Sequence, residues 1–200
     1  MLFVAAVREE LGALPGEALG VGVVRAAAAM ARLLATQRPA AVVLVGSAGA
    51  YAGGPPIGAA IKATAVCLAD GGEALGLSYA PLAPGPIAGD PALLARVEAL
   101  AAVVVTVGAI TVDRAMAAAL GARGAVEHLE AYGAALACQE AGVPFLAVLG
   151  IANEVGPQAH AQWRAHRAEA EAAARRAVGV LAEATAVSHS PYATGPKMRA

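Results

Sequence analysis

Residues 126–156 read V-E-H-L-E-A-Y-G-A-A-L-A-C-Q-E-A-G-V-P-F-L-A-V-L-G-I-A-N-E-V-G, and this stretch decides the fold. An acidic cluster opens an alanine-rich helix, Gly142 stops it, and an apolar run over residues 144–151 has the length and continuity of a buried strand. Asn153 falls just past that strand, at the edge where open α/β sheets collect their ligands. Glu130 sits at the helix start between Leu129 and Ala131, with no basic residue within four positions to pair with it on the helix. Burying an unpaired carboxylate is costly, so a partner from elsewhere is expected, a ligand among the candidates. The plain alternative is a solvated first-turn glutamate favoured by the helix dipole.

Outward toward the amino terminus, residues 2–7 form an apolar run read as a first buried strand, with Arg8, Glu9 and Glu10 at its end. Those acids suit either a helix first turn or a site at the sheet edge. Gly20-Val21-Gly22 opens an alanine-rich helix over 24–36, followed by a strand over 41–45. The order invites a dinucleotide-binding reading, but the third glycine and the acid after the second strand are both missing, and a lone G-x-G is a weak signal that close packing of loop on strand also explains. The strand leads into Gly46-Ser47-Ala48-Gly49-Ala50-Tyr51, where small residues let backbone approach a ligand and N–H groups beside Ser47 suit an oxyanion or a sugar hydroxyl. No Gly-Lys-Ser/Thr follows, and the order is G-S-A-G rather than G-x-S-x-G, which argues against a triphosphate loop and a serine hydrolase.

Farther along, residues 59–68 read as a strand, 81–90 as a loop, 91–100 as a short helix capped by Asp90, and 102–107 as an interior strand. A helix then runs to about Leu120, and a long helix over 159–184 carries Trp163, the single tryptophan. His128, His160, His166 and His189 lack metal-ligand spacing, so no metal is expected, and His160 and His166 are read as decorating a solvated helix face. The domain is expected to span 1–187, with 188–200 a flexible tail.

Two hundred residues with 58% hydrophobic content suit one domain. The apolar share is mostly alanine and valine, which favours closely packed helices on a valine-rich sheet. A net charge of -1, with Lys and Arg scattered, argues against nucleic acid or an anionic membrane as partner. The longest uncharged run, 39–61, carries Gly46, Gly49, Gly53, Gly54, Pro55 and Pro56 and cannot be one lipid-exposed helix. No secretory signal opens the chain, and Cys67 and Cys138 lie far apart in apolar settings, so a cytoplasmic chain without disulfides is expected.

Glu10, Ser47, Glu130 and Asn153 thus all lie at strand ends or at the helix start facing them. With V-A-A-V-R-E-E-L, G-V-G-V-V-R-A-A, V-G-S-A-G-A-Y, V-E-H-L-E-A-Y-G-A-A-L-A-C and I-A-N-E-V-G-P in that order, and Trp163 seven residues after Gly156, the chain resembles the nucleoside phosphorylase and nucleosidase superfamily over nearly its whole length. The resemblance implies a single-domain, three-layer α/β fold with a twisted mixed central sheet surrounded by helices, and cleavage of an N-glycosidic bond. It assigns Glu10 to polarising the attacking water, Glu130 to bridging the ribose hydroxyls, and Asn153 to the departing purine at N7. Gly46, Ser47, Ala48 and Leu129 line the ribose side, while Thr111 and Val112 hold the purine through backbone groups.

It implies a small nucleoside as ligand, no cofactor and a homo-oligomer. Relatives acting on adenine nucleosides carry aspartate at the Asn153 position; an amide can donate to a 6-oxo group while its carbonyl accepts from N7–H, which favours hypoxanthine. Rival readings are an adenine-nucleoside nucleosidase, a phosphorylase, for which Arg25 is the nearby candidate, and a non-catalytic binding protein of the same fold.

Overall fold

The computed structural model describes residues 1–81 and 84–182; the expected tail at 188–200 lies outside the described residues. The first strand, β1 (Leu2–Ala5), runs into the short α1 (Arg8–Leu11) and the edge strand β2 (Gly16–Ala18). The helix α2 (Val23–Gln37) leads to β3 (Val42–Ala50) and β4 (Ala60–Leu68). Next come α3 (Gly71–Ala74), β5 (Ile87–Ala88), α4 (Pro91–Arg96) and β6 (Leu100–Thr106). The described residues continue with α5 (Arg114–Gly121), β7 (Val126–His128), α6 (Ala131–Glu140), β8 (Phe145–Glu154) and α7 (Ala159–Ala177). The Asp90 cap forms as expected, its carboxylate accepting from the Leu93 N–H at 2.9 Å.

One mixed sheet organises these elements in the order β2-β1-β3-β7-β6-β4-β5, with β8 pairing both β3 and β4. The strands β3, β7, β6, β4 and β8 therefore close into a ring. Alternation divides the core between two faces. Val42 and Leu44 of β3, with Ala147, Leu149 and Ile151 of β8, pack toward α2 and α6. Val43, Val45, Leu146 and Val148 pack on the other side with Phe3, Leu93, Val178 and Leu181. Burial on both faces is why 145–151 is an unbroken apolar run.

Alanine and glycine set how closely the layers approach. A Cβ at Gly150 of β8 would collide with the backbone carbonyl of Ala170, so α7 lies directly on the strand. A Cβ at Gly133 would strike the Val23 carbonyl, so α6 and α2 touch backbone to backbone at that point.

Four sequence expectations need correction. The strand expected to end at Val45 continues to Ala50, because β8 pairs with it residue by residue through Glu154, with a bulge between Ala48 and Gly49. Asn153 consequently lies inside β8 rather than past it. Val126–His128 is a strand, antiparallel to β3 and parallel to β6, so the acidic cluster begins in the sheet and only Glu130 caps the helix. The expected loop at 81–90 contains β5, which pairs with β4.

Candidate active site

The carboxyl ends of β1, β3 and β8 run parallel and share one rim, and β7, running the other way beside β3, brings Glu127 opposite Gly49. These strand ends enclose a cavity of about 560 Å³, within the range of small-molecule sites. Of the residues singled out by sequence, Glu10, Ser47, Ala48, Leu129, Glu130 and Asn153 line it. Gly46 abuts Glu10 from behind. Thr111 is buried and bonded to Glu127, but neither it nor Val112, which is 60% exposed, lines the wall; Ile110 takes that place. Arg25 is also absent from the lining. A neighbouring cavity of about 520 Å³ around Tyr51, Arg114 and Gln158 contains none of the singled-out residues.

Glu10 is both a first-turn glutamate and a cavity residue. From the third position of α1 its carboxylate turns back to accept from the Ala6 and Val7 N–H groups at 3.1 and 3.3 Å. Its other oxygen accepts from the Ser47 N–H at 3.1 Å and the Ser47 hydroxyl at 3.3 Å. The carboxylate is 7% exposed, and burial raises its pKa above the usual glutamate value. The Ser47 and Val7 N–H groups and His128 oppose that rise, and Glu130 adds to it. The backbone donor expected to face a ligand at Ser47 is thus occupied by Glu10.

Glu130 is 3% exposed and has partners that its neighbours on the helix did not reveal. Gly22, at φ 95°, directs its N–H at one carboxylate oxygen, 2.7 Å away. His128 Nδ1 lies 3.3 Å from the other and accepts from the N–H groups of Glu130 and Ala131, both at 3.2 Å. The glycine pair at 20–22 therefore holds the carboxylate at the cavity wall, where a first reading suggested only close packing.

Asn153 Nδ2 donates to the Glu154 carbonyl at 2.9 Å. That bond uses one of its two N–H groups and leaves Oδ1 as an acceptor. The G-S-A-G order explains the room for these side chains. A Cβ at Gly46 would sit 3.0 Å from Glu10 Oε1, and one at Gly49 only 2.8 Å from Asn153 Nδ2.

Sequence reasoning missed part of the wall. Glu127 accepts from Tyr51 Oη at 2.8 Å and the Thr111 N–H at 3.0 Å, tying the loop after β6 to the end of β3. His160, Trp163, Arg167 and Glu171 of α7 also line the cavity. Their spacing of three, four and four is a helical stripe that the sequence displays. His160 stacks on Trp163 with ring centroids 5.9 Å apart, and the Arg167 guanidinium lies 5.0 Å above the indole. So His160, expected only to decorate a solvated face, is exposed on the cavity side.

Among the described residues, no group of three or more metal-ligating side chains is present, and no helix is long and apolar enough to cross a membrane. Both cysteines are free; burial raises both thiols, Cys138 to about 12.

Residues 13–186 match the phosphorylase superfamily, and the chain belongs to it. It is 37% identical over 187 residues to the futalosine hydrolase of Streptomyces coelicolor, covering 82% of this chain and 77% of that relative. The fold is that of the 5'-methylthioadenosine/S-adenosylhomocysteine nucleosidase of Neisseria meningitidis in complex with methylthio-immucillin-A, with a TM-score of 0.78 at 18% identity over 92% of this chain and 98% of that one. It also matches the futalosine hydrolase of Helicobacter pylori, with a TM-score of 0.75 at 16% identity over 90% and 94% of the two chains. Within the superfamily the chain is an enzyme of the nucleosidase type, an N-glycosyl hydrolase.

Proposed function

We propose that the chain hydrolyses the N-glycosidic bond of futalosine, a 6-oxopurine nucleoside of menaquinone biosynthesis, and releases hypoxanthine. The observation that carries the reading is the set Glu10, Glu130 and Asn153 on one cavity, where Asn153 keeps Oδ1 and one N–H beyond its bond to the Glu154 carbonyl. The identity to the Streptomyces coelicolor enzyme supports the same substrate. As the bond breaks, its electron pair goes to the base, which takes up a proton at N7 from solvent, and the sugar becomes oxocarbenium-like. The Glu130 carboxylate stabilises that charge while it holds the ribose hydroxyls. Water oxygen bonds to the anomeric carbon, and its proton passes to ionised Glu10 and then to solvent. Asn153 Oδ1 accepts from N7–H, and its second N–H faces the 6-oxo group. Ala48 and Leu129 line the sugar side, with Gly46 behind Glu10, and the loop carrying Thr111 and Val112 borders the base. The protein acts without cofactor, in the cytoplasm, as a homo-oligomer.

The test is release of free base from futalosine, inosine and methylthioadenosine, each with and without phosphate. Hypoxanthine from futalosine, independent of phosphate, is the expected outcome. Adenine release would overturn the substrate, and a phosphate requirement would overturn hydrolysis. Replacing Asn153 by Asp removes the N–H that faces the 6-oxo group and leaves carboxyl oxygens that can accept from a 6-amino group. Asn153→Asp should therefore shift preference toward 6-amino purines, measured as the kcat/KM ratio of methylthioadenosine to futalosine. An unchanged ratio removes the argument from the amide.

A further inference from the structure

Trp163 reaches Ser47 from α7: its Nε1–H donates to Ser47 Oγ at 3.1 Å. An indole N–H is a donor only, so the serine oxygen must accept from it. The serine O–H is then left to donate, and Glu10 Oε1 lies 3.3 Å away. No rotamer of that hydroxyl is left to chance, because the indole fixes one side of the oxygen and the carboxylate takes its proton. We infer that Trp163 is a positioning residue for Glu10, acting through the Ser47 hydroxyl, so that the outer wall of the cavity and the water-activating carboxylate form one hydrogen-bonded chain. The role assigned to Glu10 is that of the proposed nucleosidase reaction, on which this inference rests; the chain itself is independent of the substrate.

Several charged groups face this chain. On α7, His160 stacks on the indole and Arg167 covers it. Glu9 and Glu171 line the same cavity. His128 and Glu130 act on Glu10 through space, and Arg175 donates to the Glu10 carbonyl at 2.8 Å. A donor to the ionised form of a carboxylate favours that form, so losing it makes Glu10 harder to ionise. Trp163→Phe keeps the ring that His160 and Arg167 pack on and removes only the N–H. Ser47→Ala removes the hydroxyl and keeps the backbone N–H.

The direct readout is nuclear magnetic resonance of the indole N–H. Trp163 is the single tryptophan, so the chain yields one such signal. In a His160→Gln background, which removes the imidazole stacked on the indole, this resonance should shift with pH, with a midpoint above the ordinary glutamate value. The shift should vanish in Ser47→Ala and in Glu10→Gln. An indole signal that does not move through that range, or that still titrates without the Ser47 hydroxyl, overturns the chain.

In activity, Trp163→Phe should move the acid limb of kcat/KM to higher pH, by no more than Ser47→Ala does. Adding it to Ser47→Ala should move the limb no further, as expected for residues acting in series. A full additional shift in the double variant overturns the relay. No base release from any nucleoside, with the indole titration intact, would sink the nucleosidase reading and leave the hydrogen-bonded chain standing.

Discussion

Glu130 shows how much one carboxylate depends on distant backbone. One of its oxygens accepts from the Gly22 N–H, which comes from a segment far from its own helix. The positive φ of Gly22 is what aims that N–H, because a side chain there would be strained. In the proposed reaction the carboxylate lies beside the sugar, so Glu130→Ala should lower turnover at least ~100-fold, the cost of removing one preorganised electrostatic contact to a transition state. Steady-state kinetics on futalosine, with circular dichroism to verify folding, checks this, and unchanged turnover would remove Glu130 from the reaction. At the same scale, Asn153 was legible as a residue type, since its amide chemistry is local. The partner of Glu130 was not legible, because Gly22 is 108 positions away and only the fold brings the two together.

At the scale of elements, the close crossing of α2 and α6 depends on Gly133. In an isolated helix, replacing glycine by alanine gains about 1 kcal/mol. Here the added methyl meets the Val23 carbonyl, a backbone group that cannot swing aside, and overpacking of this kind costs about 1–3 kcal/mol or more. The packing cost should win, so Gly133→Ala is expected to lower the unfolding free energy by about 1 kcal/mol or more in a denaturant titration. Stabilisation would mean that the helices part easily.

The same element scale explains which parts of the fold the sequence displayed. Strands buried on both faces, such as 145–151, are continuous apolar runs and read correctly. β7 was hidden because three residues with a glutamate and a histidine carry no strand pattern; it exists because β3 and β6 offer it ladders. The extension of β3 through Gly46-Ser47-Ala48-Gly49 was hidden for a related reason. Small residues lower strand propensity, and the pairing with β8 overrides that preference. The α7 stripe of His160, Trp163 and Arg167 was legible in spacing, yet nothing local showed that it faced the cavity rather than solvent.

For the molecule as a whole, Glu10 links activity to stability. Burial is the largest influence on it and raises its pKa; the Ser47 and Val7 N–H groups and His128 offset only part of that rise, and Glu130 adds to it. A group with a raised folded pKa holds its proton more tightly in the folded protein than in the unfolded chain. Its contribution to stability is complete below the unfolded value and is lost as pH rises through the folded value. The window therefore opens at the ordinary value of 4.5 and closes at the raised one. Across it, the thermal midpoint of the wild type should fall relative to that of Glu10→Gln, which has no proton to lose. Thermal unfolding of both proteins over a pH series measures this, and a difference that stays flat would mean that folding leaves Glu10 at its ordinary value. The acid limb of kcat/KM should share the upper edge of the window, because the proposed reaction has the ionised carboxylate accept the proton of water, and that is the form folding disfavours. The four hydrogen bonds to the Glu10 carboxylate then serve both ends, keeping the buried charge tolerable to the fold and available to the proposed reaction.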